Sequence, residues 1–209
     1  MRAVLLLLLA TGVISAPSTA VSQRFTGKSP ARGLPTPVML FNADEFSHSL
    51  AGIGDDLFIS GQPDEAGLRR MHDLGVTTIV NLRTPEEMRT VPFDEPALAA
   101  RLGMTYVFLP SGDTDHPFDP GTVTQFSDAL GRTKGKVLLH CAVGWRARHL
   151  WAAYLIKERG TSVDSALANA RALGPMTRDT NKPAPVEQYL GRELPELRVP
   201  SAGRRTAAP

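Results

Sequence analysis

The sequence contains very little cysteine: Cys141 is the only one in 209 residues. A single cysteine cannot form an internal disulfide, so the fold does not depend on one. Charge of one sign is also scarce, because the formal net charge is only +2. Arg204 and Arg205 in the C-terminal tail are too few to form a nucleic-acid binding surface. We therefore expect no nucleic-acid partner.

Two motifs of cofactor chemistry are missing as well. The sequence has no G-x-x-x-x-G-K-[ST] loop of the kind that binds nucleotide phosphates. His140, Cys141 and His149 do not have the spacing of a zinc site. We therefore expect a protein that works without a metal ion or another cofactor.

Long hydrophobic runs are absent except at the N-terminus. Met1 and Arg2 precede an apolar stretch from Ala3 to Ile14, and small residues follow at 18–20. This order is typical of a secretory signal peptide, covering residues 1–20 and cleaved near Ala20. The apolar stretch is shorter than the about 20 residues that span a bilayer, so an uncleaved anchor is only the alternative. The sequence predicts an exported protein, periplasmic or secreted, without stable membrane insertion after cleavage.

The rest of the chain divides by composition. Residues 21–50 are rich in Ser, Pro and Gly and are predicted to be a linker or a loosely packed arm. Residues 195–209 have the same character and are predicted to be a flexible tail. Between them, residues 51–194 have the length of one ordinary domain.

Within that domain, apolar runs typical of strands alternate with segments of helical periodicity. The predicted strands are 56–60, 77–82, 104–109 and 136–140, and the predicted helices are 64–74, 94–102, a segment around 123–130, 147–160 and a segment beginning at Thr161 and Asp164. Nearly continuous apolar strands indicate burial on both faces of a parallel sheet. The pattern predicts an α/β fold with a mainly parallel, four- or five-stranded sheet flanked by helices.

Cys141 lies in the turn between the last predicted strand and the following helix. The start of a helix offers unpaired N–H groups and a positive dipole end, which favour an anion and a thiolate. Gly144 allows the turn, and the planar guanidinium of Arg146 can hold two oxygens of an anion. An inert, buried thiol is the alternative. The occurrence of these three residues in one turn favours a nucleophile that is held next to an anion-binding loop.

Three segments resemble a known group of proteins: ISGQPDEAGLRRMHDLGVTTIVNLRTPEE, YVFLPSGDTD and LLHCAVGWRARHLWAAYLIKERGTSVDSALANARALG. They are similar to the bacterial dual-specificity and tyrosine phosphatase-like family, which includes the phosphatase-like domain found beside β-lactamase-like hydrolases. The resemblance covers most of residues 57–174. It implies a cysteine-phosphatase-like fold and a hydrolase that acts on a phosphorylated protein, phosphotyrosine included, or on a small phosphomonoester.

The resemblance also implies roles for individual residues. Cys141, as thiolate, attacks phosphorus and forms a phosphocysteine. Arg146 and the N–H groups of the loop hold the phosphate oxygens; the loop residues are Ala142, Val143, Gly144, Trp145 and Arg146. Asp113 stands where the family has the general acid, with Asp115 and His116 as nearby substitutes.

Three further residues are predicted to support the site. Gln62 and Arg83 follow predicted strands and could frame the pocket, although Arg83 could instead pair with Glu86 or Glu87. His140 is expected to orient the loop by hydrogen bonding rather than to act as a base. Trp145 is expected to form a pocket wall or to shield the loop.

Two departures from the typical phosphatase pattern keep other functions open. Four residues, rather than five, separate Cys141 from Arg146, and Ala147 stands where a Ser or Thr usually follows the arginine. Four is also the spacing of rhodanese-like sulfurtransferases, in which the cysteine carries a persulfide. A catalytically silent oxyanion-binding module is the third possibility.

Overall fold

The computed structural model describes residues 34–40, 44–176 and 182–197. The predicted signal peptide, 1–20, lies outside the described residues, as does the tail from residue 198 onward. Within the described part of the chain, no helix combines the length and the apolar character needed to cross a membrane.

One mixed sheet of six strands organises the fold, in the order β1-β2-β3-β6-β4-β5. The strands are β1 Pro37–Met39, β2 Leu50–Ile53, β3 Leu57–Ser60, β4 Val76–Asn81, β5 Thr105–Phe108 and β6 Lys136–His140. The helices are α1 Glu65–Asp73, α2 Pro85–Met88, α3 Glu95–Arg101, α4 Pro120–Arg132, α5 Trp145–Lys157, α6 Val163–Arg171 and α7 Pro185–Leu190, followed by a short 3-10 helix at Pro195–Leu197.

The four predicted strands form the parallel part of this sheet. β6 lies in the middle, parallel to β3 on one side and to β4 on the other, and β5 is parallel to β4. The predicted α/β fold with a mainly parallel sheet is therefore confirmed.

Two antiparallel strands extend the sheet beyond the four or five that were predicted. β1 pairs with β2, and β2 pairs with β3. β1 lies within the segment predicted to be a linker or a loosely packed arm, and Phe46 of the same segment is only 4% exposed. The prediction missed this because β1 begins with Pro37 and β2 contains Gly52, and both residue types are more typical of loops than of strands.

Helices cover both faces of the sheet. Leu138 of β6 packs in a cluster with Leu68 of α1 and Leu98 of α3, whereas the next residue, Leu139, packs on the opposite face with residues of α4, α5, α6 and α7. Both leucines are 0% exposed. This burial on both faces explains the uninterrupted apolar sequence of β6.

The helices near the C-terminal end differ from the prediction. α6 does not begin at a Thr161–Asp164 cap; its N-cap is Ser162, whose Oγ accepts a hydrogen bond from Ser165 N at 3.3 Å. α7 was not predicted, because a six-residue helix shows little periodicity. It packs against α4 and α5, and its Tyr189 is 0% exposed.

Candidate active site

The loops that follow the parallel strands meet at one edge of the sheet. Gly61 forms a bridge with Val143, and Gln62 N donates a hydrogen bond to Ala142 O at 3.0 Å. Leu82 N donates to His140 O at 3.0 Å. The carboxyl ends of parallel strands are where α/β proteins bind ligands, and all predicted site residues lie in this region.

Cys141 follows β6 directly, and its loop ends at an open helix terminus. Gly144 is the N-cap of α5 with φ +78°, and no side chain caps the helix. A Cβ at Gly144 would lie 3.1 Å from Ser49 Oγ, so both space and backbone angle favour glycine. The first N–H groups of α5 have no carbonyl partner within the helix, and they carry the positive end of its dipole. The loop is thus built to receive an anion.

The Cys141 side chain is 1% exposed, but its surroundings are not only aliphatic. Burial acts to lower the pKa of Arg146, yet hydrogen bonding to Glu87 and the charge and hydrogen bond of the Cys141 sulfur raise it. The charge of Cys141 also acts on the more distant Arg148. Cys141 therefore lies in an apolar cluster but within electrostatic range of two guanidinium groups.

Arg146 is held rigidly by contacts from two neighbouring loops. Nη1 and Nη2 donate to the two carboxylate oxygens of Glu87 at 2.8 and 2.6 Å. Nη1 also donates to Leu82 O at 3.2 Å and to Ser111 O at 2.8 Å. These four contacts use Nη1 and Nη2 and not Nε.

Glu87 is a site residue that the sequence prediction did not identify. Burial acts to raise its pKa, but hydrogen bonds from Arg146 and Thr84 and the nearby guanidinium charges hold the pKa below its ordinary value. Thr84 and Glu87 form a capping box at α2, with Thr84 N donating to Glu87 Oε2 at 2.8 Å. The Thr-Pro-Glu-Glu sequence carries this capping signal, so it could have placed Glu87 at a helix start beside the site.

The suggestion that Arg83 pairs with Glu86 or Glu87 is wrong for both carboxylates. Arg83 Nη2 donates to the backbone oxygen of Glu87 at 2.8 Å and to Thr90 Oγ1 at 3.2 Å. Glu86 instead pairs with Arg89. The reason is the capping box, which turns the Glu87 carboxylate away from Arg83 and toward Arg146.

The structure joins the three predicted supporting residues through a fourth, Glu95. His140 Nε2 lies 2.8 Å from Glu95 Oε1, and Gln62 Nε2 donates to Glu95 Oε2 at 2.7 Å. Arg83 Nη1 donates to Gln62 Oε1 at 2.8 Å. Among the described residues, the His140 side chain therefore bonds to Glu95 of α3, which lies 45 residues earlier in the chain, and not to the loop itself.

Asp113 lies on the loop after β5, but its carboxylate is turned toward His116. Oδ1 accepts from His116 N at 2.6 Å and lies 3.0 Å from His116 Nδ1. Slight desolvation would raise the pKa of Asp113, but these interactions with His116 hold it below its ordinary value. The neighbouring Gly112 packs against Arg146, since a Cβ there would lie 3.3 Å from Arg146 Cδ. The loop thus reaches the site, whereas the carboxyl does not point into it in this conformation.

The Trp145 ring packs against two neighbouring rings. It makes edge-to-face contacts with Phe118 and with His149, with distances between ring centroids of 6.4 Å and 5.0 Å. His149 is buried, and burial together with the charge of Arg148 lowers its pKa to about 3. His149 is therefore a neutral packing residue at ordinary pH.

A cavity of about 450 Å³ opens beside the loop of residues 141–146, which we call the nucleophile loop after its predicted role. Gln62 and Arg83 line it together with Ala142 and Val143 of the loop. Within the described ranges, no group of three or more His, Cys, Asp or Glu side chains could hold a metal ion.

Comparison with known proteins identifies the group to which this site belongs. The sequence model of one family, the phosphatase-like domain of β-lactamase hydrolase-like proteins, matches residues 49–156. The chain belongs to this family. Two β-lactamase hydrolase-like proteins from Xylella fastidiosa, strains Temecula1 and 9a5c, are 34% identical over 105 residues. The match covers 49% of this chain and 24% of each relative, so it spans about a quarter of their length.

Solved structures similar to this phosphatase-like domain agree on the fold. PTPMT1 in complex with PI(5)P superimposes with a TM-score of 0.54 at 17% identity, over 66% of this chain and 89% of that one. A mutant form of Tk-PTP superimposes with a TM-score of 0.50 at 23% identity, over 59% of this chain and 81% of that one. The expected cysteine-phosphatase-like fold and the expected family are both confirmed.

Proposed function

We propose that this phosphatase-like domain hydrolyses phosphate monoesters, as a tyrosine or dual-specificity type phosphatase, through a phosphocysteine. The observation that carries the proposal is the pairing of Cys141 with an uncapped helix start and with Arg146, which Glu87 holds in place. Fixed donors of this kind stabilise charge on a transferring phosphoryl group without reorganising during the reaction.

The proposed reaction has two steps. The Cys141 thiolate forms a bond to phosphorus as the ester P–O bond breaks, and the leaving oxygen takes a proton. Water then attacks the phosphocysteine, which releases inorganic phosphate and restores the thiolate. Asp113 is the proposed proton donor and later the base, a role for which its carboxyl must first leave His116.

The proposed substrate is a phosphorylated protein, phosphotyrosine included, or a small phosphomonoester. The cavity lined by Gln62, Arg83 and Val143 adjoins the nucleophile loop and offers room for the leaving group. We further propose that the protein acts after export, in the periplasm or outside the cell, with the signal peptide removed.

The test supplies purified mature protein with an aryl phosphate and, separately, with thiosulfate and cyanide. We expect release of phosphate without thiocyanate, and no release from Cys141→Ser. Release of thiocyanate alone would establish the alternative, a rhodanese-like sulfurtransferase. The four-residue spacing between Cys141 and Arg146 is the feature that favours this alternative. Binding of an oxyanion without either reaction would establish a silent binding module.

A further inference from the structure

Glu95 is a completely buried carboxylate at the start of α3, and the proposed reaction assigns it no role. Its side chain and that of His140 are both 0% exposed. Burying a charge is unfavourable unless the charge is paired and hydrogen-bonded, so a buried carboxylate needs partners for its oxygens. Here both carboxylate oxygens are used, one by His140 and the other by Gln62.

The charged groups around this pair keep Glu95 ionised. Burial acts to raise its pKa, but the charge and hydrogen bond of His140, the hydrogen bond from Gln62 and the charge of Arg83 hold the pKa below its ordinary value. The other titratable groups nearby are Asp94 on the same helix and Tyr106 on β5, whose pKa is raised by burial and by Glu95, so that its phenol is neutral. Across the loop, Arg146 is already paired with Glu87.

An ionised Glu95 determines which nitrogen of His140 carries a proton. A carboxylate can only accept hydrogen bonds, so the Nε2 of His140, 2.8 Å away, must be the protonated nitrogen. His140 Nδ1 is buried and has no hydrogen-bond partner among the described residues. The ring therefore takes its orientation and its tautomer from Glu95.

We propose that Glu95 is a positioning residue for the nucleophile: it fixes the orientation and the Nε2–H tautomer of His140, the residue that directly precedes Cys141. A fixed His140 side chain fixes the end of β6, and with it the position of Cys141 against the N–H groups at the start of α5. The inference deepens the proposed function, because it concerns the same thiolate. It also connects the nucleophile to the cavity, since Gln62 lines the cavity and donates both to Glu95 and, through its backbone, to Ala142.

The first experiment measures alkylation of Cys141 by iodoacetamide as a function of pH. Cys141 is the only cysteine in the chain, so the reaction reports on that thiol alone. We expect Glu95→Gln to slow alkylation at neutral pH by about tenfold or more and to move the profile to higher pH. The matched control is Asp94→Asn, which removes the same charge one residue away and keeps an amide oxygen for the cap on Ala97 N. We expect the control to match the unmodified protein.

A second pair of variants separates this role from a general structural one. In a His140→Asn background, Glu95→Gln should produce no further slowing, because Glu95 acts through that ring. Equal slowing in both backgrounds, or equal profiles for Glu95→Gln and Asp94→Asn, would overturn the inference. Alkylation needs no phosphorylated substrate, so a protein inactive on aryl phosphates can still confirm the inference while the proposed function fails.

Nitrogen NMR of the unmodified protein keeps the inference testable if Glu95→Gln does not fold. With histidine labelled with nitrogen-15, the His140 signals are assigned by their loss in His140→Asn. Protonation at Nε2 is the expected result. A ring protonated only at Nδ1 would refute the proposed role of Glu95.

Discussion

Arg146 shows how a single residue depends on partners far away in sequence. Arg146 is 8% exposed, and its guanidinium donates to two carbonyl oxygens and one carboxylate. The sequence identified Arg146 because it stands five positions after Cys141 in a strand-to-helix turn. Its partner, Glu87, lies 59 residues earlier, and no local pattern connects the two.

Replacing Glu87 with Gln should lower kcat/KM for an aryl phosphate by about tenfold or more, which corresponds to about 1.4 kcal/mol of transition-state stabilisation. The reason is that Arg146 loses the ion pair that fixes its plane. Steady-state kinetics checks this, with Glu86→Gln as the matched control, since Glu86 is exposed and pairs only with Arg89 among the described residues. Equal rates for the two variants would show that the ion pair does not position Arg146.

At the scale of elements, α7 packs beside the site, although the sequence analysis did not predict this helix. Tyr189 of α7 packs edge-to-face on Phe118 at 5.3 Å, in the same core cluster as Cys141. Interactions with Ser111 and Arg146 act to lower the pKa of Tyr189, but its hydroxyl makes no hydrogen bond of normal geometry to the described residues. Burial raises its pKa, so the phenol is neutral.

Two tyrosine variants should therefore differ in sign. Tyr189→Phe removes a buried hydroxyl without a partner and should leave the free energy of unfolding unchanged or raise it by about 1 kcal/mol. Tyr106→Phe removes the hydroxyl that accepts from Asn81 Nδ2 at 2.7 Å and should lower it by about 1 kcal/mol. Urea unfolding of both variants measures the difference. A clear loss of stability in Tyr189→Phe would reveal a partner for its hydroxyl.

The strength of the sequence pattern in each element explains which parts of the fold could be predicted. The four strands and five helices with visible periodicity are present near their expected positions, because repeated burial leaves a repeated pattern. The missed strands β1 and β2 contain Pro37 and Gly52, and the missed helices α2 and α7, of four and six residues, are too short to show a helical repeat. The same limit applies to the site: the nucleophile loop is contiguous and was predicted, whereas Glu87 and Glu95 come from separate elements.

At the scale of the whole molecule, the carboxylates of Glu87 and Glu95 make the free energy of unfolding depend on pH. The pKa values of Glu87 and Glu95 are lowered in the folded protein from an ordinary 4.5, so the unfolded chain takes up protons first as the pH falls. Their contribution to stability is complete above about pH 4.5 and disappears as the pH falls through the lower folded values.

Unfolding measured between neutral and acidic pH should show this loss. The stability of the unmodified protein should fall as the medium is acidified, and the difference from Glu95→Gln should shrink, because the variant lacks one of the two groups. Urea midpoints at a series of pH values test it. A difference between the two proteins that stays constant down to strongly acidic pH would contradict the assignment of a lowered pKa to Glu95.

The position of β6 has a consequence for the growing polypeptide. Among the strands of the described residues it is the last to be synthesised, yet it lies between β3 and β4, which have no other strand in common. Until residues 136–140 emerge from the ribosome, β1-β2-β3 and β4-β5 are separate halves without a shared edge. The strand that unites the halves also delivers Cys141 at its end. The sheet therefore becomes continuous only when the residues directly before Cys141 pair with both halves.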